Sequence, residues 1–430
     1  MKRFKTLPVT AAALLVLGAT GTGWAFHSGG VAECEGCHTM HNSLGGQQMN
    51  NATAQFTTGP YLLQGTDQSS SCLNCHQHAG DTGPSSYHIS TAEADMPAGS
   101  PPLQLTPGGD FGWLKKTYSW VPRAGAATEW SHGERKGHNI VAADYNYVAD
   151  STITAAPGSM NTPFPANQFS CISCHDPHGT YRITSLGVQA KTGKPIRSSG
   201  SYGAVPDATT AVGVYRLLGG AGYKPKSLSG GDAFMFAAPY AVAPNSYNRS
   251  EATSDTRVAY GRSMSLWCAN CHGQMHTTFG TLVHPADQNL GPFVAQIYNS
   301  YKKSGNLTGA VDTAFTSLVP FQSDNTHDLN ALKAQTTSTA GPISTDRVMC
   351  LSCHRAHASG FDSMMRYGLG NEFMTVADAS GNPVWPDPVT NAAQAQGRTV
   401  AETQQAYYGR PPTNFAPYQR VLCNKCHAKD

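Results

Sequence analysis

The chain has 430 residues and a formal net charge of +2, with 13% Asp, Glu, Lys and Arg, against a usual charged share of about 25%. It shows neither a basic stripe nor an acidic tail, which excludes the electrostatic footprint of a nucleic-acid binder. So sparsely charged a surface has little self-repulsion and permits association.

The chain starts with the basic stretch Met1-Lys2-Arg3-Phe4-Lys5, followed by an apolar run from Leu7 to about Ala19 and the small residues Gly21-Thr22-Gly23-Trp24-Ala25. This reads as a secretory signal spanning residues 1–25, cleaved after Ala25. The run is too short for a spanning helix, and no later stretch reaches about 18 unbroken apolar residues. Residues 26–430 are therefore expected to be exported, with no membrane span.

The first chemistry-bearing stretch is Cys34-Glu35-Gly36-Cys37-His38. Cys-x-x-Cys-His is the attachment signature of haem c. The two thiols add to the haem vinyl groups, and the following histidine becomes the proximal iron ligand. The pattern recurs at Cys72, Cys75 and His76, at Cys171, Cys174 and His175, and at Cys268, Cys271 and His272. Two further copies follow, at Cys350, Cys353 and His354 and at Cys423, Cys426 and His427. Together they use all 12 cysteines. A disulfide framework would rarely place every cysteine two residues from its partner, and zinc sites do not require His after each second Cys. The expected cofactor is six covalent haem c groups.

Gly (44) and Pro (27) are abundant, and few windows carry sustained helical or strand periodicity. A chain of this kind can pack as irregular coil around large, covalently fixed apolar discs. The expected fold class is a multihaem cytochrome c: mostly irregular coil with a few short helices and minimal strand, packed around six haems. Residues 26–430 form one hexahaem unit. The motif spacing has no fixed period, so a solenoid is not expected. Short helices are expected just after motifs, with apolar-periodic packing helices over 294–301 and 399–408.

A six-coordinate haem needs a second strong ligand, usually His or Met. His41, His78, His178, His276 and His357 each lie just past a motif. A histidine three residues beyond the proximal one cannot bend back over its own haem, but it can reach a neighbouring iron. His27, His88, His138 and His284 lie in Gly- and Pro-rich connections and are further candidates. His132 and His327 lie among polar residues and are the poorest ones. Met40 and Met275 would supply the competing thioether chemistry, but abundant histidine favours bis-histidine ligation and hence lower potentials.

Several segments carry a resemblance, among them FHSGGVAECEGCHTMHNSLGG, SSSCLNCHQHAGDTGPSSYHISTAEADMPAG and ERKGHNIVAADYNYVAD. PKSLSG, CLSCHRAHASGFDSM and FAPYQRVLCNKCHAKD extend it to the C-terminus. The chain resembles the filament-forming outer-surface multihaem c-type cytochromes over essentially all of residues 26–430. Residues 161–165, 323–343 and 386–396 look less similar, and His132 and His327 fall where the family pattern has no histidine. The resemblance implies secretion by a metal-reducing bacterium, polymerisation into extracellular filaments and one continuous stack of bis-histidine haems. It also implies that His41 reaches across the subunit boundary to the haem held by Cys350, Cys353 and His354.

Three functions compete. A polymeric conductor needs saturated haems close together and a haem near each end; His38 and His427 meet the last condition. Its partners would be further copies of itself, other redox cytochromes and external acceptors such as metal oxides. A multihaem reductase needs an open axial site, yet all six motifs end in His and no Ser-His-Asp or paired-carboxylate constellation stands out. A monomeric periplasmic or extracellular shuttle is the third possibility. The expectation is electron transfer without substrate chemistry of its own.

Overall fold

The computed structural model describes residues 34–39, 41, 43–44, 47–48, 62–78, 87–159, 164–185, 187–225, 233–244, 257–275, 286–324 and 326–427. The signal segment, His27, Met40, His276 and His284 lie outside these residues.

Eight short helices are described: α1 (Gln68–His76), α2 (Met264–His272), α3 (Gly291–Ser300), α4 (Leu329–Gln335), α5 (Cys350–Cys353), α6 (Ala392–Ala395), α7 (Val400–Ala406) and α8 (Asn424–His427). Strands are two to four residues long and form mostly two-stranded antiparallel ladders. The largest sheet joins Gln189–Ala190, Arg182–Ile183, Ala211–Gly213 and Ile196–Ser199 in that spatial order, the last two running parallel. Among the described residues no helix is long and apolar enough to cross a membrane.

Among the described residues most helical turns near the motifs lie on them, and the 3-10 turn Gly273–Met275 follows the fourth motif directly. α1 and α2 end at the proximal histidines His76 and His272, α5 covers Cys350–Cys353, and motifs one and three form 3-10 turns at Cys34–Gly36 and Cys171–Ser173. The reason is geometric: residues three apart on a helical turn share a face, so two thiols can point at one macrocycle. The chain then leaves the helix so that the histidine can meet a distant carbonyl. The two packing helices expected from periodicity are present as α3 and α7. Thr399 caps α7 in a reciprocal box: Glu402 N donates to Thr399 Oγ1 (3.2 Å), and Thr399 N donates to the Glu402 carboxylate (3.0 Å).

The apolar core is divided into clusters strung along the motifs. One holds Leu73, Phe111, Ile140 and Tyr147 and packs on Cys171. Another surrounds the four-stranded sheet with Val212, Tyr240 and Tyr260 and packs on Cys174 and Leu351. A third, with Trp113, Phe361, Trp385 and Tyr407, packs on Cys353, Cys423 and Cys426. Every one of these clusters presents an apolar wall to the sulfurs of a motif.

Candidate haem-binding centre

The motif cysteines form a string in chain order. Cys37 lies within electrostatic reach of Cys75. The sulfurs of Cys72 and Cys171 are close neighbours, and so are those of Cys268 and Cys350. Between these pairs, Cys174 is within electrostatic reach of Cys268 and Cys271. Cys353 stands in the same relation to Cys423 and Cys426. Each motif therefore neighbours the next, from the first to the sixth.

Three pairs of imidazoles face each other from distant parts of the chain. His38 and His178 have ring centres 6.4 Å apart with planes 5° from parallel. His138 and His272 are 6.1 Å apart at 30°, and His175 and His357 are 6.4 Å apart at 53°. Metal–imidazole bonds are about 2.0–2.1 Å. Two such bonds plus the ring radii put coaxial imidazoles about 6.3 Å apart, so each pair is spaced to share one iron. Among the described residues no group of three or more His, Cys, Asp or Glu is placed to hold a metal ion. Paired imidazoles beside paired thiols suit an iron whose four equatorial bonds are supplied by a macrocycle.

The second ring nitrogens are tied down. Nδ1–H donates to a backbone carbonyl in His76 (Tyr87 O, 2.7 Å), His138 (Ala356 O, 2.8 Å) and His175 (Arg216 O, 2.8 Å). The same holds for His272 (Pro157 O, 2.7 Å) and His354 (Ser363 O, 2.7 Å). This bond leaves Nε2 as the free lone pair and orients the ring, the usual outer-shell device of metal-binding histidine. Burial lowers the His138 pKa to about 4, with the His272 charge adding to it. Burial, then His175, lowers that of His357 to about 3. Both rings are thus held neutral, as a ligand must be.

A three-way backbone junction carries two of these histidines. His138 N donates to His357 O (2.9 Å), and His357 N donates to Gly108 O (2.8 Å). Ala358 bridges to both Gly109 and Gly137. Gly109 has φ +95, and a Cβ there would lie 1.8 Å from Ala358 O. Only glycine permits this approach.

The other candidates are placed as follows. His78 and His88 stack at 4.8 Å, too close to sit on opposite faces of one iron. His41 is exposed, on the stretch just past the first motif. His132 stacks on Trp130 (5.6 Å, 5°), and His327 packs edge-on against Tyr240 (5.9 Å), so both have aromatic partners instead of an opposing imidazole. Met275 is exposed and lies beside Gly158.

No family model matches the chain. It is 62% identical to the C-type cytochrome OmcS of Geobacter sulfurreducens, over 99% of this chain and 98% of that protein. It superposes on the cryo-EM structure of the OmcS nanowires from the same organism with a TM-score of 0.88 at 63% identity, covering 94% of this chain and all of that one. A second structure, the outer membrane cytochrome S filament from Geobacter sulfurreducens, gives a TM-score of 0.87 at 62% identity with the same coverage. The chain belongs to the OmcS family of c-type cytochromes. It carries covalent haem c and is an electron carrier, not an enzyme.

Within this OmcS-type fold the second–third and fourth–fifth motif pairs are two copies of one arrangement, which the uneven motif spacing conceals. Ser69 and Ser265, each three residues before a motif, accept from the backbone N–H of Cys171 and Cys350 respectively. Ser173 and Ser352 accept from the residue before their own motif. The carbonyls that receive the His175 and His354 Nδ1–H belong to Arg216 and Ser363, both left-handed, at φ +50 and φ +57. Asp176 N donates to Leu217 O and Arg355 N to Met364 O, both at 2.7 Å. The signal was present in the motif interiors, which pair Asn74 with Asn270 and Ser173 with Ser352.

Proposed function

We propose that the chain is exported after loss of residues 1–25, carries six bis-histidine haems and polymerises head to tail into an extracellular filament that conducts electrons to external acceptors. Cys34, Cys37, Cys72, Cys75, Cys171, Cys174, Cys268, Cys271, Cys350, Cys353, Cys423 and Cys426 hold the macrocycles. His38, His76, His175, His272, His354 and His427 are the proximal ligands. His178 completes the first haem, His357 the third and His138 the fourth. The distal positions over His76 and His427 are drawn from His27, His78, His88, His276 and His284. The filament subunit, matched over its whole length, covers 94% of this chain, which fits a mature form without the first 25 residues.

The observation that carries the filament reading is a stitching rule. His178, three residues past His175, faces His38 in the first motif. His357, three residues past His354, faces His175 in the third. Each odd motif thus sends the histidine after it to the odd motif before it. His41 stands three residues past His38, and no odd motif precedes it in its own chain. Continued across a subunit boundary, the rule sends His41 to the fifth-motif haem of a neighbour, opposite His354. Such a contact is heterologous, and heterologous contacts that do not close generate open filaments.

Electron microscopy of the secreted protein, with intact mass and spin state on the same sample, tests this reading. Filaments built of a six-haem, wholly low-spin subunit are expected. A monodisperse monomer with all haems low spin would replace the conductor by a shuttle.

A further inference from the structure

The duplicated arrangement contains its own control, because the third-motif and fifth-motif sites share their backbone but not their charges. In the third-motif site the Tyr223 hydroxyl lies 2.8 Å from both Ile172 O and His175 O and shares its one proton between them. In the fifth-motif site the matching carbonyls, Leu351 O and His354 O, are held by Arg366 Nε at 2.6 and 3.1 Å. Arg366 is 1% exposed, and its Nη1 donates to Ser317 O. The exchange is built into the chain. Arg366 stands where the other copy has Gly219, and a Cβ on Gly219 would lie 2.3 Å from the Tyr223 ring. Tyr223 therefore fills the slot that the arginine side chain fills in the second copy.

The residue after the proximal histidine differs in the same sense. It is Asp176 in the third-motif site, 5% exposed, with its carboxylate accepting from His178 N and Thr180 N. It is Arg355 in the fifth-motif site, 1% exposed, with Nη1 donating to Pro107 O. Two charges oppose this trend in sign: Arg216, whose Nη1 donates to the Tyr202 hydroxyl (3.0 Å), and Asp362, which accepts from Ser131 Oγ. Solvent screens the Asp362 carboxylate, 39% exposed, and the Arg216 guanidinium is engaged by the Tyr202 hydroxyl and lies over the Tyr202 and Tyr215 rings.

We propose that these charges hold the fifth-motif haem at a higher reduction potential than the third-motif haem, and that Arg366 is the residue that sets the step. Reduction of a haem removes one positive charge from its core. A cation fixed in low-dielectric surroundings therefore favours the ferrous form, and a buried carboxylate favours the ferric form. Arg366 acts through the carbonyl of the proximal histidine and is a positioning residue. The electron would come to rest at the haem proposed to take its sixth ligand from the next subunit. The assignment rests on the haem reading above.

The experiment is a potentiometric titration of the purified holoprotein, wild type, Arg366→Gln and Arg366→Lys, followed by optical and electron-spin spectra. Haem count and spin state are read first. A shortfall there would count against the haem reading, whereas the order of potentials tests this inference alone. Arg366→Gln should move one midpoint downward by about tenfold in the one-electron equilibrium, 59 mV, and Arg366→Lys should retain it. No shifted midpoint, an equal shift in both variants, or a uniform shift of all six would overturn the role of Arg366. Wild-type protein gives a reading that does not depend on a variant folding. The His175–His357 planes cross at 53°, so this haem should have its own low-spin signal. That signal should persist after the highest-potential haem has been reduced; its disappearance before any other would overturn the ordering.

Discussion

His38 and His178 lie on different motif segments, yet their imidazoles are nearly coplanar in orientation and stand 6.4 Å apart. His38 is anchored by a bridge to Leu63. His178 is held by a turn in which the Asp176 carboxylate accepts from His178 N (3.1 Å) and Thr180 N (2.8 Å). Neither ring depends on the other for its place, as expected of two ligands presented to a third party.

Replacing His178 with Ala should therefore leave all six haems attached and open one axial position, on the first haem. One high-spin haem per chain and rapid carbon monoxide binding to one reduced haem are the expected outcomes, read by electron-spin and optical spectra. A fully low-spin His178→Ala protein would show that another group serves that iron.

The stitching rule makes a separate prediction for His41. Purified His41→Ala protein should retain its haem mass, show one high-spin haem per chain, and be monomeric or form fragile fibres. Normal filaments with all haems low spin would mean that the subunit boundary is built another way.

Gly108 supplies a test that removes no ligand. A Cβ at this position would lie 2.7 Å from His357 Nδ1 and 2.9 Å from Cε1. The ring cannot retreat freely, because Phe111 stacks on it at 4.8 Å. Gly108→Ala should displace His357 and perturb the spectrum of the third haem alone, with a stability cost of about 1–3 kcal/mol for the overpacking. The measurements are the electron-spin spectrum and a denaturant midpoint.

Thr399 lies away from the motifs and isolates stability from redox chemistry. Its hydroxyl accepts from Glu402 N and donates to Gly99 O (2.9 Å), tying α7 to a distant loop. Thr399→Ala should lower stability by about 1 kcal/mol, the usual cost of losing an N-cap. Haem spectra and potentials should not change. A shift in any midpoint potential would mean that α7 bears on a haem.

Parts of the fold were legible for local reasons. The 400–406 helix begins at a capping box contained in four residues, Thr399 to Glu402, and the 291–300 helix carries its buried face, Ala295 and Tyr298, at helical spacing. Helices were expected after the motifs; the turn at Gly273–Met275 follows the fourth, and the others lie on the motifs. Attachment requires two thiols on one helical face, and the histidine then turns away to bond a carbonyl such as Tyr87 O or Ser363 O. That carbonyl lies nine or more residues along the chain and is invisible to a short window. The duplication was missed because loops of different length separate equivalent residues, although Asn74 and Asn270, and Ser173 and Ser352, mark it inside the motifs.

The attachment chemistry and the family were legible from the residues alone, because a Cys-x-x-Cys-His site is complete within five residues and needs no tertiary context. It also supplied the surplus of histidine from which distal ligands are drawn. Which imidazoles oppose one another emerges with the folded chain, because His38 meets His178 and His175 meets His357 through backbone paths that no local pattern encodes. The linear order of the motifs in space depends on tertiary structure in the same way. It follows from cysteine contacts such as Cys72 with Cys171 and Cys268 with Cys350, which form only when the two halves of each copy pack together.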